Sequence, residues 1–408
     1  MANNNDNKVL NVPPLRFPEF TKEWEEHALA EYLDFKNGLN PDVKRIGRGL
    51  PFISVMDILA DGTINYDSIR GKVEATEREI ENFSVEKGDI LFQRSSETLE
   101  DVGRANVYMD NRTAVYGGFV IRGRKIGDYN PLFFKYLLST PLARKRTCRM
   151  GAGAQHFNIG QDGLSKISLC FPLMEEQNKI ARLLSLIDER IATQNKIIYK
   201  LKSLIRGIMV ELQKRGLSNG TWKKVLLSNV LTERNELNKS LYPVYSVSVI
   251  QGIVNQMEYL GRSFAASDTS KYHVVHYGDL VYTKSPTGSF PYGIIKQSYN
   301  QNEVAVSPLY GVYEPKTFST GVFLHEYFKS ELNTLNYLHP LVQKGAKNTI
   351  NIANQRFLES YVAIPSNANE LLAISKLLCS LNTKLEFLQN ILKQSQGQKQ
   401  YLLRQMFI

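Results

Sequence analysis

Apolar positions along this chain of 408 residues keep two rhythms. The first consists of short runs broken by Gly, Asp, Asn and Pro. In the first half these are LPFISVMDI, GDILFQ and AVYGGFVIRG; in the second they are YPVYSVSVI, GDLVYT, YGIIKQ and AVSPLYGVYEP. Such runs predict strands. Helical patterns follow them, NPLFFKYLLSTPLARKRTC (130–148) and STGVFLHEYFKSELNTLNYL (319–338). Two segments opened by the tryptophans, WEEHALAEYL and WKKVLLSNVL, read as short amphipathic helices. Strands and helices in this succession predict an α+β fold.

The second rhythm is a heptad. Positions 180, 187, 194, 201 and 208 with 184, 191, 198, 205 and 212 hold apolar residues except for Gln194. The seam Ile180, Leu184, Ile187, Ile191, Ile198, Leu201 and Ile205 is that of a coiled coil, and a lone polar Gln194 is the kind of residue that sets register. A second seam runs through Ile374, Leu378, Leu381, Leu385, Leu388 and Leu392. It weakens at Ser395, Gly397 and Lys399 and recovers at Leu402 and Met406. The short GLSNGT link after the first seam makes an antiparallel helix pair the simplest closure. A helix of about 40 residues would be about 60 Å long, with a globular part at each end.

The halves also repeat one another. Trp24 and Trp222 open related segments. KGDILFQRSS (87–96) matches YGDLVYTKSP (277–286), NIGQDGLSKISLCFP (158–172) matches NIANQRFLESYVAIP (351–365), and FPLMEEQNKIARLL (171–184) matches IPSNANELLAISKLL (364–378). Four pairs in the same order at similar offsets mark a tandem duplication. The expected division is a disordered tail (1–12), a first globular domain (13–172), a first long helix (173–215), a linker (216–221), a second globular domain (222–365) and a second long helix (366–408).

Charge narrows the class. The net charge is +10 and the pI about 9.2, which suits a polyanionic partner. No apolar run approaches the length of a membrane span, and the polar start lacks a signal core. Cys148, Cys170 and Cys379 lie far apart and read as free thiols of a cytoplasmic protein.

Catalytic constellations are not legible. GFVIRGRK (118–125) departs from a phosphate loop at both defining positions, and YNPLFF reads as a helix start. Glu314-Pro315-Lys316 has no carboxylate partner nearby, and His273 and His276 would face opposite sides of a strand. The chain is therefore expected to hold no active site, metal or cofactor of its own.

Candidate DNA contacts come from the repeat. Arg94-Ser95-Ser96 and Lys284-Ser285 follow the two GD strands, with Arg104 and Thr287 in the same loops. The small-residue turns carry Arg149, Gln155 and His156, and Gln343, Lys344, Lys347 and Asn348. Basic and hydroxyl groups suit phosphates, and Gln, Asn, Arg and Lys suit base edges. Arg45, Arg48, Arg262 and Lys271 are weaker phosphate candidates. The same loops would equally serve as solvated connections. The basic helix surface over 178–224, with eleven Lys or Arg, suits DNA, solvent or a protein partner.

The opening LRFPEFTKEWEEHALAEYL, both GD strands, the turns with Gly-Ala before Asn-Ile, FPLMEEQNKIARLLSLID and the tail LLRQMFI together resemble the specificity subunit of type I restriction-modification systems. That resemblance spans essentially the whole chain. It implies two target-recognition domains, each reading half of a gapped double-stranded DNA site, and helices that set the spacing and dock two modification (methyltransferase) subunits. Two ATP-driven restriction subunits would complete the assembly. S-adenosylmethionine, ATP and magnesium would belong to those partners, and no membrane is implied. A protein-binding scaffold without direct DNA readout is the alternative, and salt-dependent DNA binding separates the two.

Overall fold

The computed structural model of the chain describes residues 11–262, 265–344 and 350–408. Residues 1–10 of the expected tail lie outside these. Asn11 is tied down, its carbonyl accepting the Trp24 amide at 2.9 Å. Two compact units emerge, Met1–Asn195 with Ile391–Ile408, and Lys196–Asn390.

The tryptophan segments are strands, which corrects the helical expectation. Glu25–Ala28 pairs antiparallel with Ser168–Phe171, and Trp222–Leu226 with Tyr361–Pro365. The partner strand in each case immediately precedes a long helix. Pairing satisfies the backbone in a way the local pattern does not disclose, so tertiary context overrides propensity. The two helical patterns are also each divided in two. Pro131–Ser139 and Pro141–Cys148 are separated at Thr140, which caps the second helix and precedes its proline. Phe318–Phe328 and Glu331–Leu338 are capped by Thr317 and Ser330.

Each unit is built on a four-stranded antiparallel sheet with the same order. In the first unit the order is Leu33–Asn37, Val120–Lys125, Ile90–Gln93, Ala105–Val107. In the second it is Leu231–Glu233, Gly311–Pro315, Leu280–Tyr282, Ile295–Gln297. The duplication read from the sequence is thus a duplication of topology. The copies diverge beside this frame. The first adds a sheet of Lys72–Val73, Ile46–Ile53, Ala114–Tyr116 and Ser84–Val85 over its own small core of Ile53, Ile58, Tyr108 and Tyr116. The second has a Tyr245–Ser248/Gly252–Asn255 hairpin and a His273–Val275/Val304–Val306 pair.

The long helices are Met174–Ser218 and Ala368–Gln405, so the first runs three residues into the expected linker. In the first unit Ile180, Leu184 and Ile187 share one core with Leu402, Leu403, Met406 and Phe407, and Lys399 pairs with Asp188 at 2.6 Å. In the second unit Leu201, Ile205 and Met209 share a core with Ile374 and Leu378, with Leu381, Leu385 and Leu388 partly buried against it. The start of one helix meets the end of the other, as an antiparallel pair requires. Ile198 is buried, Ile191 and Leu392 are half-buried, and the Oε1 of Gln194 is buried without a hydrogen-bond partner among the described residues.

The heads of the long helices differ in chemistry. Glu176 pairs with Arg16 at 2.7 Å, while Gln177 accepts from the Asn130 amide and donates to the Pro172 carbonyl. In the second copy Glu370 accepts instead from the Trp222 indole at 2.8 Å. The Trp24 indole nitrogen is buried without a partner among the described residues. One acidic position therefore anchors a leading segment in one copy and a tryptophan in the other.

Leu184→Ala should cost about 2–5 kcal/mol, because a fully buried seam residue leaves a cavity in a core it shares with both helices; urea unfolding reads the loss. A second expectation concerns acid. His325, buried in the Phe318–Phe328 helix, accepts the Gln297 amide at Nδ1 at 2.8 Å. Burial first, then Lys329 and Lys296, hold its pKa well below the ordinary 6.5. Below about pH 6.5 the unfolded chain binds a proton there that the folded chain refuses, so stability should fall as pH drops from about 7 to about 5 and stay level above. His325→Gln should flatten that part of the urea-midpoint profile.

Candidate nucleic-acid interface

The GD motif that marks both copies is a structural device. Gly88 and Gly278 sit at φ +98° and +93°, where a side chain is strained. The following aspartates turn inward. Asp89 accepts the Glu86 amide at 2.9 Å and Asp279 the His276 amide at 2.9 Å, each closing the turn before its strand. Both carboxylates are buried and paired with an arginine, Asp89 with Arg124 at 3.2 Å and Asp279 with Arg234 at 2.8 Å. Burial pushes both carboxyls up and the hydrogen bonds and arginines oppose it. The arginine comes from different strands. Arg124 lies on Val120–Lys125, whereas the matching strand Gly311–Pro315 carries Glu314, and Arg234 follows Leu231–Glu233.

Polar chemistry collects where the buried central strand of the first unit ends. Arg94 donates its amide to the Phe119 carbonyl at 2.9 Å, its guanidinium reaches the Gly118 carbonyl at 3.4 Å, and its own carbonyl accepts from Ile159 at 3.0 Å. Ser95–Ser96 then pairs antiparallel with Phe157–Asn158, and the Ser95 hydroxyl bonds the Asn158 side chain. The pairing brings together two segments singled out separately in the sequence, RSS and RMGAGAQHF. Arg149, Gln155 and His156 are exposed on the turn. Gly153 is required there, since a Cβ would fall 2.0 Å from the His156 carbonyl oxygen at φ +143°. Arg104 pairs with Asp101 at 2.7 Å on the surface.

In the second unit Lys284 ends the matching strand in a left-handed conformation, φ +59°, and burial lowers its pKa. Ser285 is exposed, and Thr287 bonds the Ser285 carbonyl at 3.0 Å. Gln343 is exposed on the short Gln343–Lys344 strand, which pairs with Ile350–Asn351. Lys347 and Asn348 lie outside the described residues.

The phosphate candidates divide. Arg45 is held by the Glu74 carbonyl and the Glu79 carboxylate, and that hydrogen bond brings Glu79 down to about 2. Arg48 pairs with Glu74 at 2.7 Å. Arg262 and Lys271 are exposed. On the helices Lys179 pairs with Glu19 and Arg215 with Glu211.

Sequence reasoning missed Phe119 and Leu309. Both were read as parts of strands, and both stand at turns beside the candidate basic residues, 68% and 71% exposed. The signal was there: aligned through the GD strands, the copies place a bulky apolar residue after Gly-Gly and after Ser-Pro at the same turn.

Comparison with known proteins agrees with this architecture. Residues 21–203 match the type I restriction modification DNA specificity domain. The type I restriction enzyme EcoKI specificity subunit of Escherichia coli K12 is 24% identical over 50% of this chain and 47% of its own length. The type I restriction enzyme MjaVIII specificity subunit of Methanocaldococcus jannaschii is 27% identical over 50% of this chain and 44% of its own. The chain spans about half the length of the curated relatives it matches. The crystal structure of the type I restriction-modification system S subunit from M. genitalium shares the fold across 97% of this chain and 99% of that one, at TM-score 0.61 and 15% identity. The resemblance read from the sequence is therefore borne out as a similarity: the chain matches type I specificity subunits in sequence over about half its length and shares the fold of a solved one. Among the described residues no helix is long and apolar enough to cross a membrane.

Asp89→Ala or Asp279→Ala should destabilise the fold by about 1–3 kcal/mol, because each leaves the amide that closes the turn, Glu86 or His276, without its acceptor and removes a carboxylate from a half-buried arginine. Urea unfolding of each variant should show an early transition, and an unchanged midpoint would mean that the GD aspartates serve the surface instead.

Proposed function

We propose that this chain is the DNA sequence-specificity subunit of a type I restriction-modification complex and performs no chemistry itself. The observation that carries the reading is the repeated frame: two copies of one sheet order, each ending in a long helix, with divergent structure beside the frame and a basic-hydroxyl edge at the strand end. A constant frame with two different readers suits an asymmetric, gapped double-stranded site. Each recognition unit takes one half-site, Arg94, Ser95, Gln155 and His156 on one side and Lys284, Ser285 and Gln343 on the other. The helices fix the gap and dock two modification subunits, with two restriction subunits in the full assembly. S-adenosylmethionine, ATP and magnesium belong to those partners, and the site of action is the cytoplasm.

Exchanging residues 30–150 for those of a relative should change one half of the recognised sequence and leave the other half and the gap alone, as read by methylation-motif sequencing. Two changed halves would sink the two-reader scheme. Inserting four residues near Ser203 lengthens the helix by about 6 Å, so the gap should grow by about two base pairs. Arg94→Ala should either relax one base position by about 1–3 kcal/mol or lower the salt slope by about one. DNA affinity indifferent to salt would favour a protein-binding scaffold instead.

A further inference from the structure

We propose that Phe119 and Leu309 are apolar wedges, one in each recognition unit, that press into the base stack of a DNA duplex beside a basic residue on the neighbouring phosphate. This rests on the DNA-recognition reading above and adds the contact that distorts the half-site. Single exposed apolar residues are common on protein surfaces and need no explanation by themselves. Three observations set these two apart.

The first is recurrence. Strand register places the pairs Ile121–Phe92 and Gly311–Tyr282 at matching positions of the two sheets. The residues just beyond are Phe119 opposite Arg94, and Leu309-Tyr310 beside Thr283-Lys284. The surroundings have diverged, yet a large apolar side chain stands at this turn in both copies, more than two-thirds exposed in each.

The second is rigidity. Around Phe119 the Val120 amide bonds the Gly117 carbonyl at 2.9 Å, the Gly117 amide bonds Ile53 at 2.9 Å, and the Gly38 amide bonds Val120 at 3.1 Å. Glycine is forced at Gly38, where a Cβ would sit 2.2 Å from the Gly117 backbone oxygen. Around Leu309 the Tyr310 amide bonds Ser307 at 2.9 Å, the Leu309 amide bonds the Ser307 hydroxyl at 3.3 Å, and Pro308 fixes the backbone. A wedge has to be stiff, because unstacking a base step costs a few kcal/mol that a mobile loop would not transmit.

The third is chemistry. Phe and Leu are among the residues that insert between base steps, and aromatic rings stack on bases whatever their sequence. A cation at the foot of each wedge, Arg94 or Lys284, supplies the phosphate contact that would hold the duplex against it. Lys284 adopts a left-handed backbone that a lysine rarely takes, the sort of local strain that collects at ligand sites.

The test uses the full chain assembled with its co-expressed modification subunits and a duplex bearing the recognised site. Phe119→Ala and Leu309→Ala should each weaken binding by about tenfold with an unchanged salt slope, since no phosphate contact is lost. Both native tryptophans are buried, Trp24 at 1% and Trp222 at 4% exposure. The indole of a Phe119→Trp protein is therefore the exposed one of this chain, and, after subtraction of the parent complex, its emission should be quenched by saturating duplex while affinity is kept. Alanine variants that bind within about twofold of the parent, or an indole whose emission does not respond to duplex, overturn the wedge. If Arg94→Ala still weakens binding in that case, the recognition reading stands without it. Loss of partner assembly at unchanged DNA affinity would make the turn a protein contact and likewise overturn the wedge. A parent complex that binds no DNA at any salt removes the recognition reading itself, and the wedge with it.

Discussion

An apolar stripe cannot be left in water, and the two long helices carry stripes far longer than any one globular part can cover. That constraint shapes the rest of the molecule. Within the first unit the stripe of Ile180, Leu184 and Ile187 enters the same core as Trp24, Phe133 and Phe407, so the helix pair and the globular part are stabilised by one set of contacts. Trp24 packs edge-on to Phe407, whose ring stacks on Phe133 at 5.4 Å. The second unit repeats the solution with Trp222 against Phe323 and with Leu201, Ile205, Ile374 and Leu378. At about 25 cal/mol per Å² of apolar surface, such shared burial makes the helices inseparable from the globular parts they pack on.

How much of this was legible in the sequence depended on whether the signal was local. The heptads read correctly because a long period repeated many times outweighs any single residue. The duplication read correctly because four short matches stood in register. The tryptophan segments misled because Glu25–Ala28 and Trp222–Leu226 take their strand form from partners more than a hundred residues away. The two helical runs looked continuous because their apolar spacing carries across the breaks, Thr140-Pro141 in the first and Lys329-Ser330 in the second.

The candidate interface was legible in part for the same reason. Arg94, Ser95 and Ser96 stood out through the repeat, and so did the turn with Gln155 and His156. Nothing local said that the two would meet, and it is the pairing of Ser95–Ser96 with Phe157–Asn158 that joins them. Arg45 and Arg48 drew notice by charge alone, and their acidic partners Glu79 and Glu74 lie about thirty residues on, where charge counting does not look. Phe119 and Leu309 escaped because exposure of an apolar side chain is a property of the fold and leaves no mark on a hydropathy pattern.

The buried aspartates of the two GD turns draw their arginines from different strands, Arg124 in one copy and Arg234 in the other. The two halves of the gene are thus interchangeable only in certain pieces. A genetic crossover inside a unit that brought the second copy's Glu314 strand beside the first copy's Asp89 would put a carboxylate where Arg124 stands, and the hybrid would lose the ion pair at a buried aspartate. A crossover within the long helices moves each aspartate together with its own arginine and meets no such barrier. Whole units can therefore be traded, with recombination tolerated in the helices and purged between the strands.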